Sequence, residues 1–364
     1  MIIDIIAGAR PNFMKVAPII EAIECEKKRG RKIDYRLVHT GQHYDENMSG
    51  SFFEELKIPK PNINLGCGGG TQAKQTANIM VEFEKEVIEN RPDLVLVVGD
   101  VTSTMACSIV AKKLCIKVAH VEAGIRSFDL SMPEEINRMV TDSIADYFFT
   151  TTLLANQILK KHGASDDQIF LVGNVMIDTL LKNIPRLVQP PVWEKIGLQP
   201  HKYFVITLHR PANVDQEGKL KKLMGEIVQN VQGLPVIFPV HPRTAKILTG
   251  LEIEAPNLHV IAPLGYLEFN YLVKHAKAVI TDSGGITEET TVLGIPCLTL
   301  RDNTERPETV SIGTNELIGT DPKAIKPALE KLFAGKWKKG NIPDLWDGNS
   351  AARIVENLCT VFKV

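Results

Sequence analysis

The segment Leu94-Val-Leu-Val-Val98 is apolar at every position. A strand with one face in water alternates apolar and polar residues. An unbroken apolar run is instead a strand covered on both faces, as in a parallel sheet flanked by helices. The pattern recurs along the chain. Candidate strands at 2–7, 35–39, 94–98, 118–121, 147–150 and 169–172 alternate with helical periodicities at 16–28, 72–89, 103–114, 134–145 and 153–162. The rhythm breaks at Pro185-Arg-Leu-Val-Gln-Pro-Pro191 and restarts beyond it. Further strands are expected at 203–208, 236–240, 259–261, 278–281 and 297–300, with helices at 218–231, 266–275, 286–293, 322–333 and 351–362. Strand-helix-strand repetition of this kind builds doubly wound parallel sheets. The expected fold class is α/β, as two Rossmann-like doubly wound domains with a cleft between them. Periodicity alone does not place the final helix.

A length of 364 residues suits two domains of about 150–200 residues each. With 42 Lys and Arg against 43 Asp and Glu, the net charge of −1 supplies no electrostatic pull toward nucleic acid or an anionic membrane. No apolar run approaches the roughly 20 residues of a membrane span, and the N-terminus enters a strand without a basic, signal-like start. The six cysteines are scattered with no CxxC pair, which fits reduced thiols in a cytoplasm and argues against a zinc site or a disulfide framework.

Polar clusters fall at the carboxyl ends of the expected strands, where doubly wound sheets bind ligands. The most informative is Thr281-Asp-Ser-Gly-Gly-Ile-Thr-Glu-Glu289. A strand, a turn of small residues and a helix start expose backbone N–H groups to an anion. Ser283 adds a hydroxyl, while Gly284 and Gly285 permit close approach. Glu288 and Glu289 are placed in the first helical turn, where they either favour the helix dipole or face neutral hydroxyls such as those of a ribose. Arg301 and Arg306 follow the next strand and supply cations. The local reading is a nucleotide diphosphate site, and an ordinary βα turn reads equally well.

In the first half, Gly8-Ala-Arg-Pro-Asn-Phe-Met-Lys15 follows the first strand, with Arg10 and Lys15 placed to meet a phosphate or carboxylate. Gln42 and His43 follow the second strand; a structural histidine and a second ligand site both remain open. Asp100 ends the most apolar strand, either as a helix N-cap or as an acid/base group. Glu122 interrupts an apolar strand end in His120-Val-Glu-Ala-Gly-Ile-Arg126. Glu134 and Arg138 stand four apart on a helix, the spacing of an ordinary ion pair. Converging carboxylates push one another's pKa values apart, which acid/base work near neutral pH requires. In the second half, His209 and His241 both follow strands. The chain has no HExxH, GxSxG, Walker A or, after the first strand, GxGxxG motif, so metal, serine-hydrolase, kinase and nicotinamide chemistries lack their signatures.

Taken together and in order, GARP (8–11) with Lys15, TGQH (40–43), GD (99–100), HVEAGIRS (120–127), PEEINR (133–138), TLHR (207–210) with Asn213, HPR (241–243), PLGYLEF (263–269), TDSGGITEE (281–289) and LGIPCLTLRDNTERPE (293–308) resemble the non-hydrolysing UDP-N-acetylglucosamine 2-epimerases. The set spans nearly the whole chain. The resemblance implies a GT-B-like pair of Rossmann-like domains: 1–185, joined by a returning C-terminal helix at 350–364, and a UDP-binding domain at 186–349. It implies a cytoplasmic homodimer with a UDP-sugar as partner, no nucleic acid, no membrane, no cofactor and no metal. The implied reaction interconverts UDP-N-acetylglucosamine and UDP-N-acetylmannosamine for surface polysaccharide synthesis. The proton on carbon 2 is not adjacent to a carbonyl, so elimination of UDP to 2-acetamidoglucal and re-addition is the economical route. By the same resemblance Asp100, Glu122, Glu134 and His209 are the catalytic candidates. Arg10, Lys15, Arg138, His241, Phe269, Ser283, Gly284, Gly285, Glu289 and Arg306 would bind UDP and substrate, with Glu289 on the ribose and Phe269 near uracil. Gln42 and His43 correspond to an allosteric site in some members. The chain departs from the usual pattern at Ala9 and Asn12, where Thr and Glu are common, and in the glycine-rich segment 65–72. The segment 44–48 also looks like epimerases of UDP-2,3-diacetamido-2,3-dideoxyglucuronate, the main alternative substrate. A GT-B glycosyltransferase is a more distant alternative.

Overall fold

The structure is a computed structural model that describes residues 1–41, 55–208, 210, 213, 217–240 and 255–364, with Arg10 and Glu217 described by backbone alone. Gln42, His43, His209 and His241 lie outside the described residues. The chain divides into two compact units, Met1–Lys182 with Asp344–Val364, and Asn183–Pro343.

The first unit runs β1 (Ile2–Ala7), α1 (Arg10–Lys28), β2 (Asp34–His39), β3 (Ile63–Asn64), α2 (Gln72–Glu89), β4 (Leu94–Val98), α3 (Thr102–Lys113), β5 (Lys117–Val121), α4 (Pro133–Ile144), β6 (Tyr147–Thr150), α5 (Leu153–Lys161), β7 (Ile169–Leu171) and α6 (Val175–Asn183). Its strands form one sheet in the order β3-β2-β1-β4-β5-β6-β7, and every pairing is parallel. All five residues of β4 are buried, as an unbroken apolar run requires when helices cover both faces.

The second unit runs α7 (Val192–Ile196), β8 (Phe204–Thr207), α8 (Glu217–Asn230), β9 (Val236–Pro239), β10 (Leu258–Ile261), α9 (Tyr266–His275), β11 (Ala278–Thr281), α10 (Gly284–Leu293), β12 (Cys297–Thr299), α11 (Pro307–Ser311), β13 (Asn315–Leu317) and α12 (Ile325–Phe333). Its sheet order is β10-β9-β8-β11-β12-β13, again all parallel. The expected fold class is the observed one. In each sheet the winding reverses beside the first strand, between β1 and β4 and between β8 and β11. In doubly wound sheets that reversal is where loops leaving the carboxyl ends of the strands diverge and ligands bind.

The final helix, α13 (Ser350–Phe362), returns to the first unit and packs on α1. Asp178, on α6, caps it: its carboxylate accepts the backbone N–H groups of Ser350 at 3.1 Å and Ala351 at 2.7 Å. Arg31 donates to the carbonyl of Val364 at 2.7 Å.

Three helix starts differ from expectation by two residues or more; one is α12, expected from Pro322, which begins at Ile325 after a 3₁₀ turn at Pro322–Ala324. The first helix begins at Arg10 rather than Val16, because Pro11 suits a first turn, where its missing N–H costs nothing. Helix α10 begins at Gly284 rather than Ile286. Glu288 and Glu289 therefore sit in its second turn, buried, and do not serve the dipole at its first turn.

Candidate active site

The first-unit cluster lies beyond β1, β4 and β5. Gly8 leaves β1 against α3, and a β-carbon there would collide with the hydroxyl of Ser103. Asn12 then organises the turn. Its Oδ1 accepts from the N–H groups of Gly8 at 3.1 Å and Ala9 at 3.0 Å, and its amide donates to the carbonyl of Val98 at 3.0 Å. A glutamate, usual at this position in the resembling family, has no donor for Val98. The departure at position 12 thus ties β1 to the end of β4.

One turn further along α1, Lys15 Nζ stands 2.5 Å from Glu122 Oε2. Of the two anions the sequence allowed for Lys15, phosphate or carboxylate, it meets a carboxylate. Glu122 follows β5, is 3% exposed, and has a backbone φ of 68°. That left-handed conformation costs a non-glycine residue about 1–3 kcal/mol. Hydrogen bonds from the N–H groups of Glu122 and Ala123 to the carbonyl of Phe149, at 2.9 and 3.2 Å, hold it there. Such strain, stored where a carboxylate is aimed, is characteristic of functional sites.

Asp100 is not a helix cap, since Val101 occupies the N-cap position of α3. Its carboxylate is one-third exposed and lies 3.6 Å from Nη1 of Arg138. Arg138 is 2% exposed, and its Nε stands 3.2 Å from Oε2 of Glu135. The expected pair of Glu134 with Arg138 is replaced by this i, i+3 pair with Glu135. One residue along a helix is a rotation of 100°, and it carries Glu134 to the exposed face and Glu135 inward. Glu135 also accepts from Ser127 N and Oγ and from Phe128 N, at 3.0–3.1 Å, so it anchors the loop before α4. The structure thus brings together Lys15 with Glu122 and Asp100 with Arg138. Glu134 stands apart from both pairs.

The second-unit cluster lies beyond β8, β11 and β12. Asp282, wholly buried, joins two of these loops. Its carboxylate accepts from the N–H of Arg210 at 3.0 Å and from the amide of Asn213 at 3.1 Å, and its carbonyl accepts from Nε of Arg210 at 3.1 Å. The hydroxyls of Thr207 and Thr281 meet at 2.6 Å, and Thr281 Oγ1 also accepts from Ser283 N at 3.0 Å. Ser283 is the N-cap of α10 but makes no side-chain cap bond, and Gly284 and Gly285 form the first turn. The first N–H groups of a helix have no partner within it, so this turn offers donors to an anion. The carboxylate of Glu305 already approaches it, and a β-carbon at Gly284 would collide with Glu305. Arg301 pairs with Glu305 at 2.6 Å, and Arg306 pairs with Glu288 at 2.6 Å. Burial works to raise the Glu305 pKa, but the hydrogen bond and charge of Arg301, with the charge of Arg306, bring it down to about 2.

Glu289 points into the helix packing. It accepts from the hydroxyl of Tyr266 at 2.8 Å and lies 3.5 Å from the amide of Asn270. Burial pushes its pKa up to about 7, against the pull of those two donors. Phe269, on the same helix as Tyr266, is half-buried against the apolar core of this unit.

Asn12, Glu135, Asp282 and Tyr266 were not singled out from the sequence as site residues. Glu135 had one available signal, since a two-residue Glu-Glu at a helix start leaves one member facing inward. Asp282 had another, as a carboxylate directly after a buried strand. Among the described residues no group of three or more His, Cys, Asp or Glu is arranged to hold a metal, and no helix is long and apolar enough to cross a membrane.

The family model for UDP-N-acetylglucosamine 2-epimerase matches residues 25–359. A UDP-N-acetylglucosamine 2-epimerase of Methanocaldococcus jannaschii is 41% identical over 98% of this chain and 99% of its own length. A UDP-2,3-diacetamido-2,3-dideoxy-D-glucuronate 2-epimerase of Pseudomonas aeruginosa is 42% identical over 97% of this chain and 98% of its own. The crystal structure of the M. jannaschii UDP-GlcNAc 2-epimerase in complex with UDP-GlcNAc and UDP superposes with a TM-score of 0.87 at 41% identity, covering 99% of this chain and 100% of that one. The Neisseria meningitidis enzyme bound to UDP-GlcNAc superposes at 0.89 with 30% identity, covering 99% and 100%. A family model matching residues 25–359, with relatives 41–42% identical over nearly the full length, leads to one conclusion: the chain belongs to the UDP-N-acetylglucosamine 2-epimerase family.

Proposed function

We propose that this protein interconverts UDP-N-acetylglucosamine and UDP-N-acetylmannosamine by eliminating UDP to 2-acetamidoglucal and adding it back. The observation that carries the reading is the buried, left-handed Glu122 paired with Lys15, beside the Asp100–Arg138 pair, at the switch point of the first sheet. Proton removal at carbon 2 needs a held carboxylate, and departure of the anomeric oxygen needs a second group of opposite protonation. Asp100, Glu122 and Glu134 are the carboxylates assigned to this work, with His209 as the active-site histidine. Lys15 and Arg138 hold two of the carboxylates in place. The α10 turn at Ser283–Gly285 takes the diphosphate, with Arg10, His241 and Arg306 as cations, Glu289 takes the ribose and Phe269 lies near the base. Gln42 and His43 are assigned to a second sugar-nucleotide site. The reading includes a homodimer acting in the cytoplasm, where the six cysteines remain thiols.

The P. aeruginosa relative, as similar as any other reported above, supports the diacetamido uronate as a second substrate to be tried. Proton NMR of UDP-N-acetylglucosamine with the enzyme in D₂O tests the first reading. UDP-N-acetylmannosamine carrying deuterium at carbon 2 is the expected product. Exchange seen only with the diacetamido uronate would replace the substrate and keep the chemistry. Light scattering at the expected dimer mass tests the assembly.

A further inference from the structure

His120 is fully buried two residues before Glu122, and both its ring nitrogens are engaged. Nδ1 stands 2.6 Å from Oδ1 of Asp142, and Nε2 stands 2.9 Å from the carbonyl oxygen of Gly99. The carbonyl can only accept. Asp142 is also acting as an acceptor, because its Oδ2 takes the N–H of Gly124 at 3.0 Å and Nη1 of Arg126 at 2.6 Å. Beside an ionised Asp142, a neutral imidazole, with one donor and one acceptor, would leave one lone pair facing another, and only the doubly protonated ring satisfies both contacts. Burial opposes the charge on Asp142, but His120 and Arg126 keep its pKa below the usual carboxylate value.

The two ends of this ring lead to the loops that carry the two candidate carboxylates. Gly99 adopts a φ of 69°, and its α-carbon faces the Lys15–Glu122 pair: a β-carbon there would stand 3.0 Å from Lys15 Nζ and 3.6 Å from Glu122 Oε2. The next residue is Asp100. At the other end, Asp142 holds Gly124, which has a φ of 77° and lies two residues beyond the left-handed Glu122. The loops carrying Asp100 and Glu122 are thus joined through one imidazole and one carboxylate, neither of them among the groups assigned to substrate.

We propose that His120 is a positioning residue: a buried imidazolium that, with Asp142, fixes the Gly99 and Gly124 turns and so sets the spacing of Asp100 and Glu122. The role rests on the epimerase reading given above, and the test separates the two. Nitrogen NMR of the ligand-free wild-type protein at neutral pH is expected to show protons on both ring nitrogens of His120. A neutral tautomer overturns the proposal, whatever reaction the protein catalyses. Two variants then divide the ring's contacts. His120→Gln places an amide near the Nε2 position and keeps a donor for Gly99, while His120→Asn places its amide near Nδ1 and loses that donor. The expected result is that His120→Asn lowers kcat by about 10²-fold, the scale of a small misplacement of reacting groups, with KM and UDP affinity unchanged. His120→Gln is expected to recover at least a tenth of wild-type kcat. Equal activity of the two variants overturns the proposal, as does a loss that falls on KM alone. Wild-type protein inert toward both UDP-sugars would sink the epimerase reading, and the ring spectrum would still decide the state of His120.

Discussion

Glu122 and Asp100 occupy different electrostatic settings. Glu122 is buried against a lysine at 2.5 Å, whereas Asp100 is one-third exposed and 3.6 Å from a buried arginine. On the proposed reading these two carboxylates share the proton transfers at carbon 2 and at the anomeric oxygen. Glu122→Gln or Asp100→Asn is expected to lower turnover by about 10²-fold or more and to leave UDP binding unchanged; kinetics with calorimetric titration of UDP checks this, and wild-type rates would remove the residue from the mechanism. Glu289 yields a pH prediction. Its pKa is raised from 4.5 to about 7, so the fold prefers the protonated form. Its contribution to stability is therefore full below about pH 4.5 and declines as pH rises toward 7. Thermal melts from pH 4 to 8 should show this decline in the wild type and a smaller one in Glu289→Gln. Ribose hydroxyls donating to Glu289 favour the charged form, so UDP affinity should rise through pH 7 in the wild type more steeply than in that variant. A parallel pH dependence in both proteins would count against the ribose assignment.

At the scale of elements, side chains from distant segments finish what local propensity begins. Neither α1 nor α3 has a side-chain cap from its own N-cap residue, Ala9 or Val101. Asn12 supplies the missing acceptor for the turn before α1. Helix α13 is capped by Asp178 from α6. Asp178→Ala is expected to destabilise the protein by about 1–2 kcal/mol, as loss of a capping carboxylate does, read as a lower urea midpoint with an unchanged slope. An unshifted midpoint would show the cap to be dispensable. Strand and helix positions were legible because buried parallel strands are apolar throughout and helices repeat every 3.6 residues. Helix starts were less so: Pro11 and the pair Gly284–Gly285 resemble loop punctuation, yet both belong to first turns.

For the whole molecule, the same order of six strands serves twice, with a seventh strand added to the first sheet, and each unit presents its polar cluster at the equivalent place. The returning helix makes the first unit discontinuous in sequence. It buries Ile354, Val355 and Leu358, worth on the order of 5 kcal/mol together. Removing 350–364 is expected to collapse hydrogen-exchange protection in β1 and α1 while β8 and β11 stay protected. Uniform loss in both units would mean that they fold as one. The sequence by itself determined the doubly wound class, every strand but the short edge strands β3 and β13, and the placing of Gly8, Asp100, Glu122 and Ser283 at strand ends, because these follow from local periodicity and from the topology rule for parallel sheets. Only the tertiary structure decided that Glu135 rather than Glu134 meets Arg138, that Lys15 meets Glu122, that Asp282 meets both Arg210 and Asn213 and that His120 joins Gly99 to Asp142. Those contacts depend on a single helical step or on residues far apart in the chain, and hydrophobic patterning carries no record of which polar groups will meet once the backbone is closed.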